Sequence, residues 1–228
     1  MKNCCIIVAG GNGSRMGTEL PKQFLRIGGI PVLMHTIRNL YHFDHSLQLI
    51  LVLPEAGIIS WNELCRQYHF EIPHQTIPGG ETRFQSVKNG LSVVPECELI
   101  AIHDGVRPLV SHETLSRCFR CASESGAAIP VVPANESLRK GSMSASVPVD
   151  RLQYFLVQTP QVFKAQIIQQ SYKQSWIPEF TDDASVVEYA GISVQLVMGN
   201  RENIKITFPE DLMIAELFLK STAKSLSS

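Results

Sequence analysis

The chain has 228 residues, 44% of them hydrophobic and 18% charged, a composition that excludes disordered and fibrous classes and provides for a buried core. Its 20 basic and 21 acidic residues leave a net charge of −1, so no global field grips nucleic acid, and an anionic ligand must be met by locally gathered Lys and Arg. No apolar run approaches the ~18 residues needed to span a bilayer, and the run 4–9 is too short for a secretory signal. The expectation is a cytoplasmic protein that binds neither membrane nor nucleic acid.

The first predicted element is a strand over 4–9, Cys4-Cys5-Ile6-Ile7-Val8-Ala9, apolar throughout as in a parallel sheet covered on both faces. A helix over 32–41, a strand over 48–53, a helix over 58–68 and a strand over 74–77 follow. Next come a helix over 82–91 with Thr82 as a plausible N-cap, a strand over 99–103, a helix over 112–125 and a strand over 127–132. Residues 133–149 break the rhythm with serines, Gly141 and Pro148. Such a stretch is long for a compact domain, and an extended arm or lid is favoured over disorder. Helices over 164–174 and 182–189, a strand over 194–198 and a helix over 209–221 complete the chain. Pro209, Glu210 and Asp211 make a good start for the last of these. The β-α-β alternation predicts an α/β fold: one domain over 1–228 with a three-layer, mainly parallel sheet. Six cysteines, including Cys118-x-x-Cys121, lack a second pair or a His cluster and read as reduced structural thiols.

The chemistry concentrates in a few loops. Strand 4–9 runs into Gly10-Gly11-Asn12-Gly13-Ser14-Arg15-Met16-Gly17 and then Pro21-Lys22-Gln23. Glycines let backbone N–H groups approach an anion closely, and Arg15 and Lys22 add two positive charges at the carboxyl end of a strand, where open α/β sheets bind ligands. A Walker loop is absent, since no Gly-Lys-Ser/Thr occurs, and Gly11-x-Gly13 lacks the rest of a dinucleotide fingerprint. Asp104, at the carboxyl end of the strand over 99–103, is well placed to hold Mg²⁺, which takes one or two carboxylates and keeps phosphate oxygens as other ligands. His103 reads as a hydrogen-bonded bystander rather than a base.

Ala-Gly-Gly-x-Gly-x-Arg-Met-Gly followed by Pro-Lys-Gln resembles the opening of nucleotidyltransferases, above all the cytidylyltransferases of polyol phosphates. Further resemblances follow in the family's order: Gly79-Gly80-Glu81-Thr82-Arg83-Phe84-Gln85-Ser86, His103-Asp104-Gly105-Val106-Arg107-Pro108, Val149-Asp150-Arg151, Gln158-Thr159-Pro160-Gln161-Val162-Phe163, Thr181-Asp182-Asp183-Ala184-Ser185, and Gly199 through Asn203-Ile204-Lys205-Ile206-Thr207. The resemblance implies a Rossmann-like nucleotidyltransferase fold with a protruding arm at about 134–152 that clasps a second subunit, giving a homodimer. It implies CTP and a small polyol phosphate as substrates, with Mg²⁺ as cofactor on Asp104.

For the site it implies Arg15 and Lys22 as catalytic cations and Ala9, Gly10, Gly11, Gly13, Gly80, Ser86 and Gly105 around the nucleotide. Gly10 and Gly105 stand where the family has alanine. Arg107, Ser137, Arg151 and Lys205 would meet the acceptor. Asn135 replaces a family lysine in the arm. Glu202 is a candidate carboxylate aid, and Asp182 and Asp183 read as acids at a helix start rather than a second metal site. The acceptor favoured by Asp-Ala-Ser-Val-Val-Glu and Asn-Ile-Lys-Ile-Thr is methylerythritol 4-phosphate of non-mevalonate isoprenoid biosynthesis. Ribitol 5-phosphate, a sugar 1-phosphate, and a non-catalytic nucleotide-binding regulator on the same fold are the alternatives.

Overall fold

The computed structural model describes residues 2–10 and 21–225, the side chains of 222–225 excepted. In chain order, β1 (Cys4–Val8) precedes a small hairpin of β2 (Arg26–Ile27) and β3 (Ile30–Pro31), then α1 (Val32–Phe43), β4 (Gln48–Leu53) and α2 (Glu55–Gln67). These are followed by β5 (Gln75–Pro78), α3 (Arg83–Ser92), β6 (Leu99–Asp104), α4 (His112–Ser125) and β7 (Ala127–Pro133). The last third holds β8 (Leu138–Gly141), β9 (Ser146–Val149), β10 (Phe155–Val157), β11 (Gln161–Lys164), α5 (Ala165–Ser171), α6 (Asp183–Tyr189), β12 (Gln195–Met198) and α7 (Pro209–Ser225).

The core is one 8-stranded sheet in which β1 lies between β4 and β6, parallel to both. The reason for its unbroken apolar run is visible in the packing. Cys5, Ile7 and Ala9 face α1, α2 and α4, while Cys4, Ile6 and Val8 face α3, α5 and α6. Both faces are covered, so neither set of alternating side chains meets water. This gives the expected three layers, and α7 closes a smaller third cluster with Ile27, Val32, Val106 and Ile206. Helix α4 begins at Ser111, whose hydroxyl caps Thr114 N, and ends at Gly126, whose φ of 96° suits a residue without a Cβ. All six cysteines are free thiols; burial pushes the Cys118 thiol up to about 12, in keeping with a structural role. No helix among the described residues is long and apolar enough to cross a membrane.

Two strands of the central sheet were not foreseen, and both run against β6 and β7. β11 lies antiparallel between β6 and β7, and β10 continues along the same edge of β7. Between Val157↔Val131 and Val162↔Ala128, five steps on one side face three on the other, so the chain bends at Gln158-Thr159-Pro160. That bend delivers Thr159 to the end of β6. Within the stretch expected as an arm or lid, β8 and β9 form an antiparallel hairpin, Leu138↔Val149 to Gly141↔Ser146, exposed along almost its whole length.

Candidate active site

Parallel pairing of Val8 with Val52 and with Asp104 brings the carboxyl ends of three strands level, and residues that follow β1, β5 and β6, with Lys205, line a cleft of about 360 Å³. Ala9, Gly10, Lys22, Gly80, Ser86, Asp104 and Lys205 all line it. Seven of the residues singled out from sequence therefore meet in one place, although up to about 200 positions separate them in the chain. Arg15, Gly11 and Gly13 lie outside the described residues.

Asp104 is the electrostatic centre. It is 6% exposed and ringed by cations: Lys205 Nζ at 3.1 Å and Arg107 Nε at 3.2 Å on Oδ2, and Arg83 Nε at 3.9 Å from Oδ1. Burial by itself would raise the carboxyl pKa, but Lys205, Arg83 and Arg107 together hold it well below the usual carboxylate range. It is therefore a fixed anion at neutral pH.

Arg83 was quoted within a motif but given no site role from sequence, yet it lines the cleft. Its guanidinium forms a bidentate pair with Asp183, 2.7 and 2.6 Å, and the Tyr172 hydroxyl donates to the same carboxylate at 2.6 Å. Burial would lower the Arg83 pKa, but Asp183 more than offsets this and holds the guanidinium charged. Asp183, read from sequence as a helix-start acid, is thus a fully buried counter-ion. Asp182 does cap α6, through a capping box with Ser185, and accepts from Gln161 Nε2 at 2.8 Å. The signal that could have singled out Asp183 was the buried period of α6, which a pair of adjacent acids obscures.

Several expected contacts are corrected. Gly105 does not line the cleft. An added Cβ would lie 2.8 Å from Ala9 Cβ and 3.0 Å from Leu33 Cδ1, so close packing behind the site requires glycine there. Arg107, expected to face the acceptor, is 11% exposed at the side chain and committed inward. Its Nε meets Asp104, and Nη1 donates to the Asn203 carbonyl at 2.7 Å. Ser86 lines the cleft, but its hydroxyl donates to Thr82 O at 2.9 Å and accepts from Gly80 N at 3.1 Å. One acceptor lone pair is all that remains for a ligand. Ser137 and Arg151 are exposed on and beside the arm, away from this cleft, and Arg151 Nη1 donates to Asn135 O at 2.7 Å. Glu202 bonds Asn200 and also lies outside the cleft.

His103 is fully buried, and burial pushes its pKa down to about 4. Its ring contacts Thr159 Oγ1 at 2.9 Å and the Arg107 carbonyl at 3.0 Å.

Residues 3–221 match the family model of IspD, 2-C-methyl-D-erythritol 4-phosphate cytidylyltransferase. Curated relatives of that description from Bacteroides thetaiotaomicron and Bacteroides fragilis are 52% and 53% identical over 219 residues, covering 96% of this chain and 100% of theirs. Among solved structures, 4-diphosphocytidyl-2C-methyl-D-erythritol synthase from Anaerococcus prevotii superposes with a TM-score of 0.81 at 25% identity, covering 96% of each chain. The Thermus thermophilus 2-C-methyl-D-erythritol 4-phosphate cytidylyltransferase gives 0.76 at 29% identity, over 96% of this chain and 98% of that one. With its cleft built on Asp104, Lys205 and the Gly80 turn, and with kinship over nearly its full length, the chain belongs to the 2-C-methyl-D-erythritol 4-phosphate cytidylyltransferase family.

Proposed function

We propose that this chain transfers a cytidylyl group from CTP to 2-C-methyl-D-erythritol 4-phosphate, giving 4-CDP-2-C-methyl-D-erythritol and pyrophosphate, in the cytoplasm. The observation that carries the reading is a buried, ionised Asp104 among three cations on the floor of a cleft rimmed by Gly10, Lys22 and Gly80. An acceptor phosphate oxygen attacks the α-phosphorus in line, and the bond to the pyrophosphate oxygen breaks. No protein nucleophile is needed, because the acceptor is already anionic, so catalysis rests on positioning and charge. Lys22 and Lys205 line the space where a triphosphate fits, and Arg15 belongs to the same loop as Lys22. Ser86 can accept a hydrogen bond but has spent its proton. It therefore favours a base edge that presents an amino group, as cytosine does, over one that presents a carbonyl.

The site suits a single-carboxylate Mg²⁺ seat. Among the described residues no group of three His, Cys, Asp or Glu could cage a metal. Asp104 is ionised, and among the described residues its Oδ1 is approached by Arg83 Nε at 3.9 Å. Mg²⁺ bound through one carboxylate and phosphate oxygens would supply charge neutralisation on the triphosphate.

The acceptor half is incomplete within one subunit, since Ser137 and Arg151 stand off the cleft. We assign it to a homodimer in which the arm of one copy closes the cleft of another. The exposed apolar side chains of Leu152, Tyr154, Phe155 and Leu156 beside the hairpin support this assembly.

The test of activity is pyrophosphate release with CTP and Mg²⁺, comparing methylerythritol 4-phosphate, ribitol 5-phosphate and a hexose 1-phosphate. Turnover with the first alone is expected; preference for either of the others overturns the acceptor. Mixing Lys22→Ala and Arg151→Ala subunits at an acceptor concentration well below KM, where each is impaired alone, tests the arm. Recovery of activity on mixing is expected, and its absence in a mixed dimer places Arg151 in its own subunit's site.

A further inference from the structure

We infer that His103 is a positioning residue: as a neutral ring protonated at Nε2, it closes a hydrogen-bonded circuit that fixes Asp104 and the backbone carrying Lys205. The inference rests on the proposed reaction for its consequence, but not for its geometry.

The direction of each bond follows from what each atom can do. The Arg107 carbonyl only accepts, so His103 Nε2, 3.0 Å away, carries a proton. A neutral ring then has a bare Nδ1, which accepts from the Thr159 hydroxyl at 2.9 Å. The Thr159 oxygen in turn accepts from the Asp104 backbone N–H at 3.0 Å. Arg107 Nη1 donates to Asn203 O at 2.7 Å, and Asn203 Nδ2 donates back to Thr159 O at 2.8 Å. The circuit thus runs from Asp104 through Thr159, His103, Arg107 and Asn203 to Thr159 again. His103, Thr159, Asp104 and Asn203 are all at most 6% exposed, so water does not compete for these bonds.

Two consequences follow from the layout. The ring spans the turn from Asp104 to Arg107, which Arg107 N closes on Asp104 O at 3.1 Å, and so sets the angle of the carboxylate above it. Asn203 lies two residues before Lys205, so the same circuit holds the lysine at 3.1 Å from Asp104. A ring with the opposite tautomer would set a bare nitrogen against the Arg107 carbonyl, losing that link, and would leave the Thr159 hydroxyl proton without the ring as its acceptor. The site chemistry needs its carboxylate and lysine held to a fraction of an ångström; Thr159 and Arg107 tie the β10–β11 bend and the 200–205 loop to Asp104, and His103 joins those two ties to each other.

Nitrogen NMR of the ring-labelled protein without substrate reads the tautomer directly. Nε2 protonated and Nδ1 bare at neutral pH is expected; the reverse, or an imidazolium, overturns the inference whatever reaction the enzyme runs. Thr159→Val removes the hydroxyl and Thr159→Ser keeps it. With rates referred to the folded fraction from thermal melts, the valine variant should lose on the order of 10²-fold in kcat, with KM for CTP little changed and the serine variant close to the parent. His103→Gln keeps a donor for the Arg107 carbonyl but no acceptor for Thr159. Combined with Thr159→Val it should lose no more than Thr159→Val alone, because that variant already removes the Thr159–His103 bond along with the acceptor of the Asp104 N–H. Parental kcat in Thr159→Val, a rise confined to KM, or additive losses in the double variant would each overturn the positioning role. A parent that releases no pyrophosphate with any acceptor refutes the proposed function instead, and leaves the tautomer to decide the circuit.

Discussion

The cleft at the sheet end and the arm at 134–152 are built on opposite terms. In the cleft Asp104, Arg107, Thr159 and the Asn203 amide nitrogen find partners inside the subunit, largely out of water. In the arm the hairpin pairs only with itself, and Leu152, at 79% exposure, and Met143 have no apolar cover. A region whose contacts are all internal is rigid without help; one that leaves apolar area in water is finished by another molecule. On the proposed reaction the cleft holds Lys22 and Lys205 and the arm presents Ser137 and Arg151, and substitutions in the two regions should separate.

The largest effect expected is at Lys22. Lys22→Ala should lower kcat by ~10²–10³ with an unchanged melting temperature, and near-normal turnover would remove it from the catalytic set. Next in size, Asp183→Ala leaves the Arg83 guanidinium without its buried partner. Breaking such a pair costs about 3–5 kcal/mol, read as a lower midpoint in urea unfolding; no shift would mean the pair contributes nothing to the cleft's rigidity.

A pH titration of stability probes the same region more gently. His103 titrates at about 4 in the folded state against 6.5 ordinarily, so the unfolded chain binds more protons between those values. Its contribution is complete above about 6.5 and is lost as pH falls toward 4. Asp104, lowered from 3.8, adds a further loss only below that value. His103→Gln should flatten the first window and leave the second; an unchanged profile would assign the upper window to other groups.

In the arm, Arg151→Ala should raise KM for the acceptor about tenfold, the size of one charged hydrogen bond, with CTP affinity and melting temperature untouched. An effect on CTP alone would erase the division between the two regions. The smallest effect is expected at Gly10, where an added Cβ would sit 3.6 Å from Ser86 Oγ, an ordinary contact. Gly10→Ala should gain about 0.4–1 kcal/mol by restricting the unfolded chain and turn over like the parent. A marked rise in KM for CTP would show that the nucleotide uses that space.

Much of this molecule was legible before any coordinate. Pattern alone located the central strands and their covering helices, because β1 and β6 carry apolar residues on both faces and α4 is bounded by Ser111 and Gly126. The cleft's lysines, glycines and Asp104 were named because loops after parallel strands converge and their residue types suit anions. β10 and β11 were missed: strands of three and four residues separated by Gln158-Thr159-Pro160 have too little length for a period to show.

What the sequence determined by itself is the inventory: an α/β chain, a basic glycine-rich loop, one carboxylate at a strand end and an arm without a core of its own. What only the tertiary structure decided is how those groups are committed. Arg107 reaches inward to Asp104 and Asn203, Gly105 packs against Ala9 and Leu33, Asp183 at the start of α6 is also the counter-ion of Arg83, and His103 is hydrogen-bonded to Thr159 and Arg107. The physical reason is one of range. Periodicity and turn chemistry act over a few neighbouring residues, whereas a buried hydrogen bond or ion pair takes its partner from wherever the fold brings one, here across 100 positions for Arg83 and Asp183.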